Sequence, residues 1–318
     1  MSRTRQRGVA LLVAIVIFAF ATMVAAAVTY SKAMTARRAA ATFTLEQALQ
    51  AGMAAEALAS IALEQDGGAA QTTTIQDWAQ VQQPVELEET GVWIAAQVED
   101  MSGRFNLNSV VKWEDQTKIF VADPHQVDVF RTILADLDID LKYADLLVDW
   151  IDTDIAPNSA GGEDTLYLSQ VPPYRPPNTF ITHPSELLAL PGFGRDNYRK
   201  IAPFVTALPY DVPVNLCTAS GLVLDATRND PQNQNEFRGM DLVLAREKGC
   251  FPLKNVFSGV IGNPQLKGEV ESHIEEKSSW FRLRTNIRVG TAEFVLYSLL
   301  YREPTNRVRT VQRNFGSE

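Results

Sequence analysis

The chain has 318 residues, of which 46% are hydrophobic, so it is long and apolar enough to bury a sizeable core. Its formal net charge is −9 and its isoelectric point is near 5.0, which argues against nucleic acid as a partner. The three histidines have no nearby Cys or Glu in a zinc-binding pattern, and the sequence contains no phosphate-binding glycine loop or nucleophile elbow. We therefore expect a protein that is not an enzyme.

The N-terminus places a basic head and one glycine before a long apolar run. Residues 1–8 include three arginines and end at Gly8, and residues 9–31 carry no charge. About 20 apolar residues cross a bilayer as a helix, and positive charge tends to stay in the cytoplasm. Three interpretations are open: a secretory signal cut near the alanines at 25–27, a plain membrane anchor, and a type IV pilin-like leader. We favour the leader, in which the cut falls between Gly8 and Val9 and the apolar run is kept.

The helical pattern continues well past this run. Ala-rich sequence without proline extends it to about Glu64, and two glycines at 67–68 end it. At 1.5 Å per residue the helix would be about 80 Å long. It divides into a transmembrane half, residues 9–31, and an amphipathic half, residues 32–66. Larger apolar residues recur at helical spacing in the second half and predict its packing face: Leu45, Leu49, Met53, Leu58 and Ile61.

Sheet-like segments flank a helical block of about 100 residues. Residues 92–100 predict a strand, and alternating residues 280–289 begin a three-stranded antiparallel unit that has one solvated face. Residues 125–154 predict two helices. We therefore divide the chain beyond the long helix into a first part of a sheet domain (67–108), an inserted helical domain (109–210) and a second part of the sheet domain (211–318).

The insertion contains a stretch similar to a helix-hairpin-helix unit, HPSELLALPGFGRDNYRKIAPFV, with LPGFG as the hairpin. In DNA-binding proteins such hairpins offer backbone amides to a phosphate, and Arg195, Arg199 and Lys200 would assist. A membrane-anchored periplasmic DNA-binding protein is therefore the alternative function. The acidic neighbouring sequence and the export signal favour a packing motif of two short helices instead.

Acidic residues are concentrated between Asp123 and Asp164, where eleven acids accompany two basic residues. Carboxylates this dense repel one another unless a cation lies among them. Calcium takes about six to eight oxygen ligands and tolerates irregular loops. We predict a calcium site although the spacing is not that of an EF-hand; the alternatives are a solvated acidic face and, less favoured, a hydrolase site. The predicted side-chain ligands are Asp152, Asp154, Glu163 and Asp164, with Asp149 as a further candidate.

The only two cysteines are Cys217 and Cys250. An even number of cysteines in an exported chain suggests a disulfide. The alternative is a pair of free buried thiols. We favour the disulfide because the N-terminus predicts export.

Several of these segments together resemble the K-type minor pseudopilins of bacterial type II secretion systems. They are RQRGVALL, GRFNLN, LLVDWIDTD followed by GGED, ELLALPGFG and VNLCTAS, and the resemblance covers nearly the whole chain. It implies an α+β fold in which a long pilin-like N-terminal helix packs on an antiparallel sheet. It also implies a large inserted all-α domain that contains the helix-hairpin-helix-like unit and carries calcium.

The resemblance further implies a location and partners. A prepilin peptidase would cut after Gly8 and methylate the amine of Val9. The mature chain would cross the inner membrane once, with its bulk in the periplasm. It would sit at the tip of a short fibre with other minor pseudopilins, start fibre assembly, contact the major pseudopilin, and meet exoproteins or the secretin. Most pilins carry Glu at the fifth mature position, where it pairs with a neighbouring amine. Here that position is Val13, which suits a subunit with nothing above it and equally suits a membrane-facing residue.

Overall fold

In a computed structural model of the protein, the structure describes residues 7–80, 83–87, 90–154, 156–229, 236–238 and 240–316, without the side chains of residues 7, 8, 240 and 241. The first six residues of the predicted leader therefore lie outside the described residues. The nine helices of the described residues are α1 (Arg7–Gln65), α2 (Pro124–Asp136), α3 (Lys142–Ile151), α4 (Asp164–Leu168), α5 (Gly194–Ile201), α6 (Gly221–Arg228), α7 (Met240–Arg246), α8 (Lys254–Gly259) and α9 (Pro264–Ser272). The strands are β1 (Val85–Glu86), β2 (Val92–Asp100), β3 (Phe105–Asn106), β4 (Val111–Glu114), β5 (Ile119–Ala122), β6 (Val205–Thr206), β7 (Val214–Asn215), β8 (Ile274–Glu275), β9 (Trp280–Val289), β10 (Ala292–Arg302) and β11 (Val308–Phe315).

Helix α1 is continuous over 59 residues, so it is about 88 Å long. Its N-terminal half carries exposed apolar side chains from Val9 to Val28. Among the described residues, α1 is the one helix that is long and apolar enough to cross a membrane. The chain thus has an N-terminal helix suited to membrane anchoring, as predicted.

The C-terminal half of α1 packs on a five-stranded antiparallel sheet with the order β1-β2-β9-β10-β11. The predicted packing face was wrong: Leu49, Met53 and Leu58 are exposed. The buried face instead consists of small residues followed by one leucine: Ala48, Ala51, Ala55, Ala59 and Leu63. Small side chains occupy the buried face because they let the helix backbone lie close to the sheet. A Cβ atom on Gly52 would lie 2.5 Å from Cδ2 of Leu296.

The long strands alternate as predicted. In β9, Phe281, Leu283 and Ile287 are buried against α1, and the arginines between them lie on the opposite face. Leu63 packs near Phe281, whereas Ala48 packs near Ile287. The Asp100 end of the sheet therefore lies farthest along α1 from the apolar half.

The insertion leaves the sheet at this distal end. Parallel pairing of β3 with β6 joins its two ends. Two asparagine side chains of the GRFNLN segment fasten the same junction: Asn106 Nδ2 donates to the Pro209 carbonyl (2.6 Å), and Asn108 Nδ2 donates to the Leu208 carbonyl (2.8 Å). The insertion has its own core, which includes Phe130 and Leu147. The two helices predicted for residues 125–154 are α2 and α3.

Two features of the segments beyond β3 differ from the prediction. The insertion is mostly helical but also contains the β4–β5 hairpin. Residues after 211 do not return directly to the sheet: helices α6–α9 pack around a separate small core that includes Leu216, Phe257 and Val270. The sheet resumes only at Trp280. These short helices lack the long, regular apolar repeat that identifies a helix from sequence.

A buried carboxylate ties this small core to the sheet. Asp100 accepts hydrogen bonds from the side chains of Asn215 (3.0 Å) and Ser278 (2.6 Å) and from the Thr218 hydroxyl. The VNLCTAS segment therefore supplies two of the donors that hold the end of β2 in place. Burial raises the pKa of Asp100, although these hydrogen bonds oppose the rise.

Candidate metal centre

Three carboxylates from two helix ends converge in the insertion. Asp149 lies in the last turn of α3, and Asp152 is the residue that follows that helix. Glu163 is the residue before α4. The apolar residues of α3, among them Leu147 and Trp150, are buried in the insertion core and hold the helix in place. The helix ends here because the chain then enters a Pro- and Gly-rich loop.

One carboxylate oxygen from each of Asp149, Asp152 and Glu163 lies within 4.8 Å of the others. Asp149 is fully buried and Asp152 is 2% exposed. The loop holds Asp149 directly, because the Asn158 backbone amide donates to its Oδ1 (3.1 Å) and the Asn158 side chain donates to the same oxygen. The cluster therefore consists of two buried acids and one half-buried acid, with Asp149 held by the loop.

Two oxygens of the cluster have no hydrogen-bond donor among the described residues: Asp152 Oδ1 and Glu163 Oε1, both inaccessible to solvent. Burial raises the pKa of Asp152 to about 8, and the negative charges of Asp154, Asp149 and Glu163 add to the rise. Burial likewise raises the pKa of Asp149 and of Glu163. A buried polar atom without a partner is costly, so these oxygens are arranged for a positive ligand.

The loop closes over the cluster at a glycine. A Cβ atom on Gly161 would lie 2.0 Å from Asp149 Oδ2, so any larger residue must push the loop away from that carboxylate. Tyr167 is fully buried, and its hydroxyl has no hydrogen-bond partner among the described residues. Burial raises its pKa, and the nearby charges of Asp149 and Glu163 add to the rise. Sequence reasoning missed Asn158, Gly161 and Tyr167. The GGED motif alone could have indicated Gly161.

The structure joins three of the five predicted ligands and leaves two outside the group. Asp154 is half-buried, and its Oδ1 accepts a hydrogen bond from the Ala156 amide (2.8 Å). Asp164 lies 3.4 Å from Arg175 Nη1 and forms an ion pair with it. Asp164 is the first residue of α4, and its partner is Arg175 although it directly follows Glu163 in sequence.

The donor set suits a hard cation. All three groups offer carboxylate oxygens, the ligand type that calcium and magnesium prefer, and no sulfur or imidazole donor belongs to the group. The irregular loop between 152 and 163 also suits calcium, which accepts uneven geometry. The residues present therefore fit a calcium ion, with Asp149, Asp152 and Glu163 as its side-chain ligands.

Cys217 and Cys250 form a disulfide, with their Cα atoms 4.5 Å apart. It connects the segment after β7 to the segment after α7, within the small C-terminal core. A bridge across 33 residues stabilises the folded chain by about 3.7 kcal/mol in the chain-entropy model.

The helix-hairpin-helix-like stretch takes a compact form. Its first helix is a 3₁₀ helix, Pro184–Ala189, and its second is α5. Between them Gly192 and Gly194 have positive φ angles of 80° and 73°, which favour glycine. Phe193 is buried in the insertion core and packs on Tyr143. The hairpin thus contributes its central side chain to packing.

Comparison with known proteins places the chain in a family. A family model described as type II secretion system, protein K matches residues 103–210. The type II secretion system protein K of Pseudomonas aeruginosa is 32% identical over 99% of this chain and 94% of its own length. The chain belongs to the type II secretion system protein K family. The protein K of Pectobacterium carotovorum is 30% identical over 99% of this chain and 98% of its own length. The family assignment makes the chain a minor pseudopilin of the type II secretion system.

A solved structure shows the same fold. It is described as the GspK-GspI-GspJ complex from enterotoxigenic Escherichia coli, and its matching chain superposes with a TM-score of 0.76 at 22% identity. The match covers 88% of this chain and all of that one. The long helix, the antiparallel sheet and the insertion are therefore the shared architecture.

Proposed function

We propose that the chain caps the tip of the periplasmic fibre and starts its assembly. The observation that carries this proposal is the position of the insertion, which leaves the sheet at the end farthest along α1 from the membrane half. A subunit stacked above this one would collide with that block. Val13 supports the same position: an ionised side chain in the membrane is costly, and a tip subunit has no amine above it that a glutamate could neutralise.

The exposed face of α1 supplies the contact with other subunits. Leu49, Met53 and Leu58 are 37%, 48% and 68% exposed on the side away from the sheet. An apolar stripe of this kind on a folded helix marks an interaction surface. We propose that it packs against the helices of other minor pseudopilins, similar to the two named with the E. coli relative, and against the major pseudopilin below. Exoproteins or the secretin are the proposed contacts of the exposed insertion.

We propose a maturation and a location that match this role. A prepilin peptidase cuts after Gly8 and methylates Val9. The chain then crosses the inner membrane once through α1, and everything beyond residue 31 lies in the periplasm. The apolar, uncharged run and the arginines before it support this orientation.

Calcium at the Asp149, Asp152 and Glu163 cluster has a structural role in this proposal. When bound, the ion neutralises the three buried carboxylates and ties the end of α3 to the start of α4. The residues of this chain bring the oxygens together, hold Asp149 through Asn158, and exclude water. The ion thereby stiffens the insertion around the end of α3 and the start of α4.

The proposal assigns no catalytic activity and no nucleic-acid partner. The net charge of −9 opposes DNA binding, and the buried Phe193 supports a packing role for the hairpin. The DNA-binding alternative predicts that the chain binds duplex DNA at low salt, whereas the tip subunit does not.

Immunogold labelling tests the tip position. Fibres are assembled in cells that produce the full set of pseudopilins, and antibodies against the insertion are applied. We expect label at one end of each fibre, and label spaced along the fibre sides would contradict the proposal. Met53→Glu should abolish the end label because it charges the exposed α1 stripe. Asp196→Asn on the surface of α5 is the matched control and should leave the label unchanged.

A further inference from the structure

Two histidines meet where the insertion contacts the small C-terminal core. His125 lies in the first turn of α2, within the insertion, and His273 is the residue that follows α9. Their rings stack, with centroids 5.7 Å apart and planes inclined by 21°. Val270, in the last turn of α9, and Ile274, next to His273, are buried in the small core. The pair therefore bridges two parts of the chain that have separate cores.

Hydrogen bonds fix the orientation of both rings. Nδ1 of His273 donates to the Glu269 carbonyl, one turn earlier in α9 (2.8 Å). The side-chain amide nitrogen of Gln126 lies 3.3 Å from Nδ1 of His125 and donates to it. The amide oxygen of Gln126 accepts a hydrogen bond from the Ser109 hydroxyl (3.2 Å). Nε2 of His125 is inaccessible to solvent and has no hydrogen-bond partner in the part of the chain that the structure describes.

These surroundings disfavour a second proton on His125. A protonated imidazole donates through both ring nitrogens, but Nδ1 faces an amide N–H, and Nε2 meets no acceptor among the described residues. The positive end of the α2 dipole lies at the same turn. Burial lowers the pKa of His125, and the positive charge of a protonated His273 lowers it further. Three carboxylates oppose this change: Asp123 and Asp128 at the start of α2, and Glu269 on α9.

We propose that the stack of His125 on His273, which we call the histidine latch, is an acid-sensitive contact between the insertion and the small C-terminal core. While both rings are neutral, the latch holds the start of α2 against the end of α9. When both rings carry a proton, two positive charges at this distance repel, and the contact opens locally. The pairing of β3 with β6 keeps the insertion attached to the sheet. In acid the insertion is therefore less firmly fixed to the rest of the chain.

The direction of the pH dependence follows from proton linkage. A histidine in the unfolded chain binds its proton near pH 6.5, and His125 in the folded chain binds it at a lower pH. The stabilising effect of the latch is therefore fully present above pH 6.5 and is lost as the pH falls through the folded pKa of His125. The inference depends neither on calcium nor on the tip position, because the two rings stack without either.

Hydrogen–deuterium exchange of the full chain in detergent, at pH 7 and at pH 5, measures the opening. The Val214 amide donates to the His273 carbonyl (2.8 Å), so its exchange reports on the latch. Protection is expressed relative to the intrinsic exchange rate at each pH. We expect the protection of peptides that contain Val214 or His273 to fall several-fold from pH 7 to pH 5, because local opening exposes their amides. His125→Gln, which cannot take up a proton, should remove most of this fall.

His273→Gln removes the other ring of the latch and should have the same effect, so it tests the proposal if His125→Gln does not fold. His183→Gln is the matched control: this third histidine caps the 3₁₀ helix Pro184–Ala189, and its substitution should leave the fall intact. Thermal unfolding at pH 7 shows whether each variant folds as the parent does. An equal loss of protection in His125→Gln and in the parent would assign the effect to other groups and overturn the proposal. Equal protection of the parent at both pH values would overturn it as well.

Discussion

Replacing Asp152 with asparagine removes one buried negative charge from the acidic cluster without changing the size of the side chain. In the metal-free parent, burial and the neighbouring acids raise the pKa of Asp152 from 3.8 to about 8. The folded state then holds a proton that the unfolded state releases between those two values. Its stabilising effect is complete below pH 3.8 and is lost as the pH rises towards 8.

The magnitude follows from proton linkage. One proton bound only by the folded state lowers the free energy of unfolding by about 1.4 kcal/mol per pH unit. From pH 5 to pH 7 the metal-free parent should therefore lose about 3 kcal/mol, which corresponds to a fall of about 5–10 °C in the unfolding midpoint. Calcium at a hundred times its Kd should restore about 2.7 kcal/mol at pH 7.

Thermal unfolding of the full chain in detergent, followed by the fluorescence of tryptophans such as Trp150 beside the cluster, measures both effects. Without calcium, Asp152→Asn should unfold at a higher temperature than the parent at pH 7 and respond weakly to calcium. Its dependence on pH from 5 to 7 should be weaker than that of the parent, and what remains reflects Asp149 and Glu163, whose pKa values burial also raises. Asp196→Asn, an exposed acid on α5, should behave as the parent does. A midpoint of the parent that is the same at pH 5 and pH 7, and unmoved by calcium, would refute the reasoning.

Four further predictions concern single positions. Gly161→Ala should weaken calcium affinity measured by titration calorimetry, because its Cβ would lie 2.0 Å from a carboxylate oxygen of the cluster; unchanged affinity would contradict the role of the loop. Gly8→Leu should block processing, whereas mass spectrometry of the parent should show a methylated N-terminus at Val9 and no start near residue 28. Cys217→Ser should lower the free energy of unfolding in urea by up to about 3.7 kcal/mol without altering the calcium response, and an unchanged urea midpoint would argue against a bridge. Gly52→Leu should destabilise the packing of α1 on the sheet and lower the thermal midpoint, whereas Gly68→Ala, which faces open space, should not.

The longest elements were the most predictable from sequence. A long run without proline predicts α1, and strict alternation of apolar and polar residues predicts β9. The helical spacing of apolar residues in the segment 125–154 predicts α2 and α3. In each case the pattern repeats over enough residues to outweigh local propensity. The short helices α7–α9 were not predicted, because each spans only about two turns and lacks a long apolar repeat.

The errors in the candidate site and in the packing of α1 have different causes. Asp154 and Asp164 are acidic and close in sequence to the cluster, but their carboxylates are not part of the group of three. Sequence shows which residues are acidic, but it does not show which way each carboxylate points from an irregular loop. For α1, the prediction assumed that the larger apolar residues are the buried ones. Instead, alanines and Gly52 face the sheet, because close approach of a helix to a sheet requires small side chains. Apolar periodicity identifies the faces of a helix, but when two faces are apolar it does not show which of them packs on the sheet.

The alanine face of α1 has a consequence for the chain in isolation. Because α1 packs on the sheet through its small residues, most of the apolar surface of the helix stays exposed in the isolated chain. Burying that surface against other subunits would lower the free energy, and the isolated chain lacks this stabilisation. The apparent stability of the protein therefore depends on the concentration of its neighbours, as expected when a partner binds only the folded form. If α1 packs against other subunits as proposed, a subunit without neighbours is the least stable form of the protein.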